Sequence, residues 1–192
     1  MKKLNFLCLF FVLFSLSASQ ELNNNRMGLY IAPTINFIST EIQGAETNNN
    51  LGLVYGYAVE FPLSINHYLE SGFAISYKGG GIEQGENIIS DYKVQYLAIP
   101  VLMKMRSRQV GYFNYFAKIG PSLNFKIKEK TTHNETAKGA VIDIAIFLGA
   151  EYSLGGETAV EGSIFYNNNI TSSMNETQAL FHQIGLRFGF LF

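Results

Sequence analysis

The final stretch of the chain alternates with period two. Ile184, Leu186, Phe188, Phe190 and Phe192 occupy even positions, with Gln183, Gly185, Arg187 and Gly189 between them. Residues two apart share a face of an extended chain, so this is a strand with one apolar and one polar side. Val141 to Leu154 repeats the pattern, setting Ile142, Ile144, Ile146, Leu148 and Tyr152 against Asp143, Ala145, Gly149, Glu151 and Ser153. Phe113 to Lys128 sets Phe113, Tyr115, Ile119, Leu123, Phe125 and Ile127 against Asn114, Lys118, Gly120, Ser122, Asn124 and Lys126. Five further segments, centred on Leu29–Phe37, Leu53–Phe61, Leu69–Tyr77, Leu97–Met103 and Val160–Tyr166, do the same. Helical spacing fits none of them as well. The pattern predicts eight strands of about 11–15 residues each.

The connections alternate as well. Ser64–His67, Arg106–Gly111 and Gly155–Glu157 are tight, whereas Thr40–Gly52, Gly79–Asp91, Glu129–Gly139 and Asn168–Ala179 are long and polar. Short turns on one side, long loops on the other and both termini on the short side predict an all-β fold. It is an eight-stranded, antiparallel, up-and-down transmembrane β-barrel. Volume decides which face is outside, because eight strands enclose a space that side chains just fill. Gly28, Gly56, Gly72, Gly120, Gly149, Gly185 and Gly189 share the polar face, while the other face is bulky nearly throughout. The apolar face must point outward. A secreted, lipocalin-like barrel would need the reverse. Tyr30, Tyr68, Tyr96, Phe116, Phe147 and Phe165 then point inward and leave little free lumen. Pro33, Pro62, Pro100 and Pro121 fall within strands, where each removes a ladder donor, so bulges or strand ends are expected there.

The N-terminus reads as an address. Met1-Lys2-Lys3, an apolar run from Leu4 to Leu16 and the small residues Ser17-Ala18-Ser19 form a secretory signal peptide, with cleavage after Ser19. The apolar run is too short to span a bilayer as a helix. This gives residues 1–19 as signal peptide, 20–26 as a short N-terminal segment and 27–192 as the barrel domain. The lone cysteine, Cys8, leaves with the signal, so disulfides, thiolate nucleophiles and Cys-ligated metals are excluded from the mature chain. A chain of 192 residues suits one domain, and a formal net charge of −1 argues against nucleic acid as a partner.

Charged residues on the inward parity define the candidate site: Glu60, Glu70, Asp143, Glu151 and Glu161 with Lys104, Lys118, Lys126 and Arg187. Unpaired charge in a tight lumen is costly, so these residues are expected to form a paired network that plugs the barrel. His67, His133 and His182 fall in different places and cannot converge. No nucleophile-elbow, His-Glu-x-x-His or phosphate-loop pattern occurs, and Gly79-Gly80-Gly81 lacks the Lys and helix that phosphate binding requires. No catalytic, cofactor or metal residue is therefore expected. The long loops carry Glu41, Glu46, Glu83, Glu86, Asp91, Glu129, Glu135 and Glu176 against Lys130 and Lys138, with none of the aromatic or Arg residues that anchor tight interfaces.

Several ordered pieces resemble the small PorT-like, porin-family barrels of Bacteroidetes outer membranes. These are Glu60-Phe61-Pro62-Leu63, Ser71-Gly72-Phe73 leading to Ser76-Tyr77-Lys78-Gly79-Gly80, Tyr96-Leu97-Ala98-Ile99-Pro100-Val101-Leu102-Met103-Lys104, and Phe116-Ala117-Lys118-Ile119-Gly120-Pro121-Ser122. One departure is Ala98, where that family often has an inward Glu. The resemblance implies a Gram-negative outer-membrane barrel, mostly of undefined role, with some relatives implicated in secretion-apparatus assembly. Phe188, Phe190 and Phe192 look like the C-terminal signal read by the barrel-assembly machinery. The expected function is a non-enzymatic barrel with a plugged polar lumen and a structural, envelope or secretion-assembly role. Its expected partners are outer-membrane lipids, the assembly machinery during biogenesis, and secretion or envelope proteins. The alternatives are a narrow channel for small solutes and an outer-membrane lipid-modifying enzyme.

Overall fold

A computed structural model describes residues 25–40, 46–84, 87–131, 137–171 and 179–192. The expected signal peptide and His133 lie outside these residues. In chain order the strands are β1 (Arg26–Thr40), β2 (Glu46–Asn48), β3 (Asn50–Ser64), β4 (His67–Gln84), β5 (Asn87–Arg106), β6 (Phe113–Thr131), β7 (Ala140–Gly155), β8 (Thr158–Asn169) and β9 (Ala179–Leu191). β2 is a three-residue continuation of the β3 line beside β4, pairing Asn48 with Gly81. The other eight strands pair antiparallel in sequence order, and β9 returns to β1. The sheet is a closed eight-stave barrel.

Following the registers round from Arg26 passes Glu60, Glu70, Leu102, Gly120, Ala145, Asn167 and Gln183 and re-enters β1 at Asn36, ten residues beyond the start (36 against 26). A stagger of ten over eight staves corresponds to a strand tilt of about 40°. Backbone bonds from Met27 to Phe192 in both directions, at 2.8 and 2.7 Å, complete the seam between the terminal strands.

Parity holds along the staves, apart from the long-loop end of β6. Leu186, Ile144 and Phe73 are 50, 40 and 59% exposed, whereas Arg187, Glu151 and Glu70 are 3, 1 and 0% exposed. This is the reverse of a lipocalin. Outward aromatics gather at both ends: Tyr112 and Phe113 pack on Tyr152 at the short-turn end, and Tyr55 pairs with Tyr77 at the other. They sit where side chains with one apolar and one polar end meet a membrane interface.

Strands run further into the expected loops than periodicity indicates, with β4 reaching Gln84 and β5 starting at Asn87. The barrel also starts one residue early, at Arg26. A register shift accompanies Pro62, next to the Ser64–His67 turn. Pro33, Pro100 and Pro121 instead lie in mid-strand. Pairing lapses on one side of each, at Pro33 between Ile31 and Thr34 against β9, at Pro100 between Ala98 and Val101 against β4, and at Pro121 between Ile119 and Ser122 against β5, without a change of register. A missing donor is thus absorbed locally. The inward glycines make room: a Cβ on Gly149 would lie 2.6 Å from Phe116 Cζ, and one on Gly185 2.7 Å from Phe165 Cε1. At the tightest hairpin, Gly155 and Gly156 take φ of 114° and 59°, which suit glycine.

Candidate functional site

Each of the eight staves contributes one charged side chain to a single layer near the short-turn end. Round the barrel from β9 these are Arg187 and Arg26, Glu60 and Glu70, Lys104 and Lys118, then Glu151 and Glu161. Charges alternate in pairs, four cations against four carboxylates, and every one is buried. Arg26 donates to Glu60 and, at 3.1 Å, to both oxygens of Glu151. Lys104 binds Glu60 and Glu151 and lies 3.4 Å from Glu161. Lys118 donates to Glu70 at 2.5 Å and to both oxygens of Glu161 at 2.8 and 2.7 Å. Arg187 donates to Glu70 at 2.8 Å, and its Nε lies 3.4 Å from Glu161. None of the layer's four carboxylates lacks a cation.

The inward rings flank this layer. Lys104 and Lys118 lie 4.6 and 4.7 Å from the Phe116 centroid, and the Arg187 guanidinium lies 3.8 Å from that of Tyr30. Desolvated cation–π contacts supplement the ion pairs. At the rim, Arg106 reaches Glu151 at 3.4 Å and donates to the Tyr68 hydroxyl. Carboxylate oxygens of Glu60, Glu70 and Glu161 lie within 4.8 Å of one another, a spacing a divalent cation could use. The ammonium groups of Lys104 and Lys118 already bind these three carboxylates, and an added divalent ion would leave the layer with excess positive charge.

Above the ion layer the lumen is apolar, where the inward Phe147 and Phe165 meet a set of alanines that the sequence pattern alone does not single out. Ala32, Val54, Ala74, Ala98, Leu102, Ala145, Phe147 and Phe165 form one cluster, with Phe147 and Phe165 stacked at 5.0 Å. A cavity of about 40 Å³ lies here, edged by Ser76, Ser122 and Asn124 and roomy enough for a few water molecules. Ala98 belongs to this cluster.

A second polar level follows. Lys78 donates to Asp143 at 2.5 Å and to Asn169 at 3.3 Å, and Gln183 donates to Thr34 and Asn36 at 3.1 and 2.9 Å.

Seven of the nine charges expected in the lumen meet in the ion layer: Glu60, Glu70, Lys104, Lys118, Glu151, Glu161 and Arg187. The other two do not. Asp143 pairs separately with Lys78, and Lys126 sits half-buried at the long-loop mouth, bound to Glu129 at 2.7 Å and to the Ala137 carbonyl at 2.6 Å. Arg26, Lys78 and Arg106 were not among the expected charges, although Arg26 shares parity with Gly28, Lys78 with Ser76 and Arg106 with Lys104. Of the terminal aromatics, Phe188, Phe190 and Phe192 are all exposed on the outer wall. His67 accepts or donates a bond to Ser64 at 2.9 Å in a turn, while His182 stacks on Tyr166 at 6.2 Å on the outer wall. Neither approaches the ion layer.

The outer membrane protein β-barrel domain family matches residues 17–190. No curated protein matches. Among solved structures, the outer membrane protein OprG from Pseudomonas aeruginosa superposes with a TM-score of 0.57 at 12% identity, covering 88% of this chain and 95% of OprG. Neisserial surface protein A, NspA, superposes with a TM-score of 0.52 at 9% identity, covering 85% and 95%. At these identities the two structures speak to the fold alone.

Proposed function

Because the chain belongs to the outer membrane protein β-barrel domain family and its barrel sits in the outer membrane, we propose that it serves there as a non-enzymatic, closed-lumen component of the envelope. One observation carries this reading: the buried layer to which every stave gives one charge, balanced four against four, with an apolar layer packed above it. A conducting pore needs a continuous wet path, and here ionic and aromatic side chains occupy the axis. A catalyst needs a group within reach of substrate, and the charged groups of this layer are turned toward one another.

The finer reading is a PorT-like barrel of Bacteroidetes type, exported by residues 1–19 and recognised by the barrel-assembly machinery through Phe188, Phe190 and Phe192. Its role is structural or in assembling secretion or envelope proteins, and its resident partners are membrane lipids. The test is conductance of the refolded protein in a planar bilayer. A flat baseline is expected, and reproducible steps would overturn the closed lumen in favour of a solute channel. In the host, His182→Ala is expected to leave the lipid A profile unchanged, and an altered profile would favour a lipid-modifying enzyme. Pull-down from detergent-solubilised membranes is expected to recover an envelope protein.

A further inference from the structure

β6 ends in Lys126-Ile127-Lys128-Glu129-Lys130, where uninterrupted period two would send Lys126, Lys128 and Lys130 to the same face. They do not share one. The register between β5 and β6 shifts between Gln95 and Tyr96, so that Tyr96 faces Lys126 but Gln95 faces Lys128. A bulge of this kind re-aims the side chains beyond it. Glu129, now opposite the inward Val94, turns into the mouth and binds Lys126 and the Ala137 amide. Lys128 and Lys130 turn outward, exposed, and Lys130 pairs across the ladder with the exposed Lys93.

These three lysines edge a groove of about 440 Å³ on the outer wall, together with Leu51, Tyr77 and Gln95. Below them the wall is apolar, with Leu97, Phe125 and Ile127 outward on the same two staves. The groove therefore lies where the lipid-facing band gives way to the headgroup level on the long-loop side, which in such barrels faces the cell exterior.

We infer that Lys93, Lys128 and Lys130 form a binding site for the phosphorylated headgroup of an outer-leaflet lipid. Lysine is a compact point charge suited to phosphate. Leu51, 82% exposed, and Tyr77 offer an apolar surface to the acyl chains that follow such a headgroup. A soluble phosphate would have no use for that surface, and this favours a lipid over a free anion. The bulge serves the site twice, since it brings two lysines out and takes the Glu129 carboxylate in.

The experiment is native mass spectrometry of the refolded protein in neutral detergent micelles doped with bisphosphorylated lipid A or its dephosphorylated form. Retained adducts of the phosphorylated lipid alone are expected. Each Lys→Gln change should weaken retention about fivefold, and the triple variant K93Q/K128Q/K130Q roughly a hundredfold. R108Q, an exposed charge at the opposite end, should leave retention unchanged. Far-UV circular dichroism and the heat-dependent gel shift report whether each variant is folded, and single variants keep the test open should the triple one misfold. Equal retention of both lipids, or of wild type and folded lysine variants, would overturn the site. Loss of the adduct to equimolar inorganic phosphate would overturn its lipid specificity.

Discussion

Glu161 touches three cations of the ion layer, and its removal gives a sharp test of that layer. It receives two bonds from Lys118 at 2.8 and 2.7 Å and lies 3.4 Å from both Lys104 and Arg187 Nε. In Glu161→Gln one amide oxygen can still accept from Lys118, but the layer becomes four cations against three carboxylates in a site closed to water. Removing one partner of a buried pair costs about 3–5 kcal/mol, mostly because the other charge stays behind. The compensating change is Lys118→Met, which restores neutrality and packs the methionine chain against Phe116. The double variant should lie well above the sum of the single losses, with a coupling of about 1–3 kcal/mol. Equilibrium urea unfolding in detergent, followed by far-UV circular dichroism, measures all four corners of the cycle. A Glu161→Gln loss below about 1 kcal/mol with no coupling would refute the claim that mutual neutralisation holds this layer together.

Three further expectations test the wall, the packing and the exit signal. Arginine at Ile146, in the middle of the outward face of β7, should cost about 2–4 kcal/mol of bilayer stability, against about 1 or less for Leu154→Arg beside the turn; equal costs in a refolding titration would contradict a lipid-facing wall. Gly149→Val should lose about 1–3 kcal/mol, because its Cβ would meet Ser163 Cβ at 2.5 Å and Phe116 Cζ at 2.6 Å, and the unfolding midpoint reads this directly. Phe192→Ala keeps the backbone bonds to Met27 and should refold normally in vitro, yet reach the outer membrane in reduced amount in cells, as immunoblotting of fractions would show.

The barrel was legible because its walls obey one rule. Period two marks both faces, and the inward glycines reveal that the polar face is the crowded one. Where an element escaped the sequence, the reason was local. Arg26 precedes the first apolar residue of its strand, so nothing apolar on its far side brackets it as inward, yet it supplies a quarter of the layer's positive charge. Lys126 is on the inward parity but stands far along β6 from the ion layer, at the level of Tyr96; its partner Glu129 was missed because a bulge leaves no trace in hydropathy, only in the pairing of Gln95 with Lys128. The apolar layer was hidden for a different reason. Ala32, Ala74, Ala98 and Ala145 are small enough to share parity with polar residues without disturbing the alternation, and only their convergence with Phe147 and Phe165 makes them a stratum.

The ion layer draws on the first strand and the last, Arg26 and Arg187 standing on adjacent staves across the seam. Until those strands meet, Arg26 and Arg187 stand on the two open edges, away from Glu151 and Glu70 on the far staves, and charges that pair only across the lumen would face hydrocarbon. Such a half-curled sheet has no comfortable place in a bilayer. Pairing across the lumen would therefore act as a latch, tying burial of the charges to ring closure and opposing later unzipping at the seam.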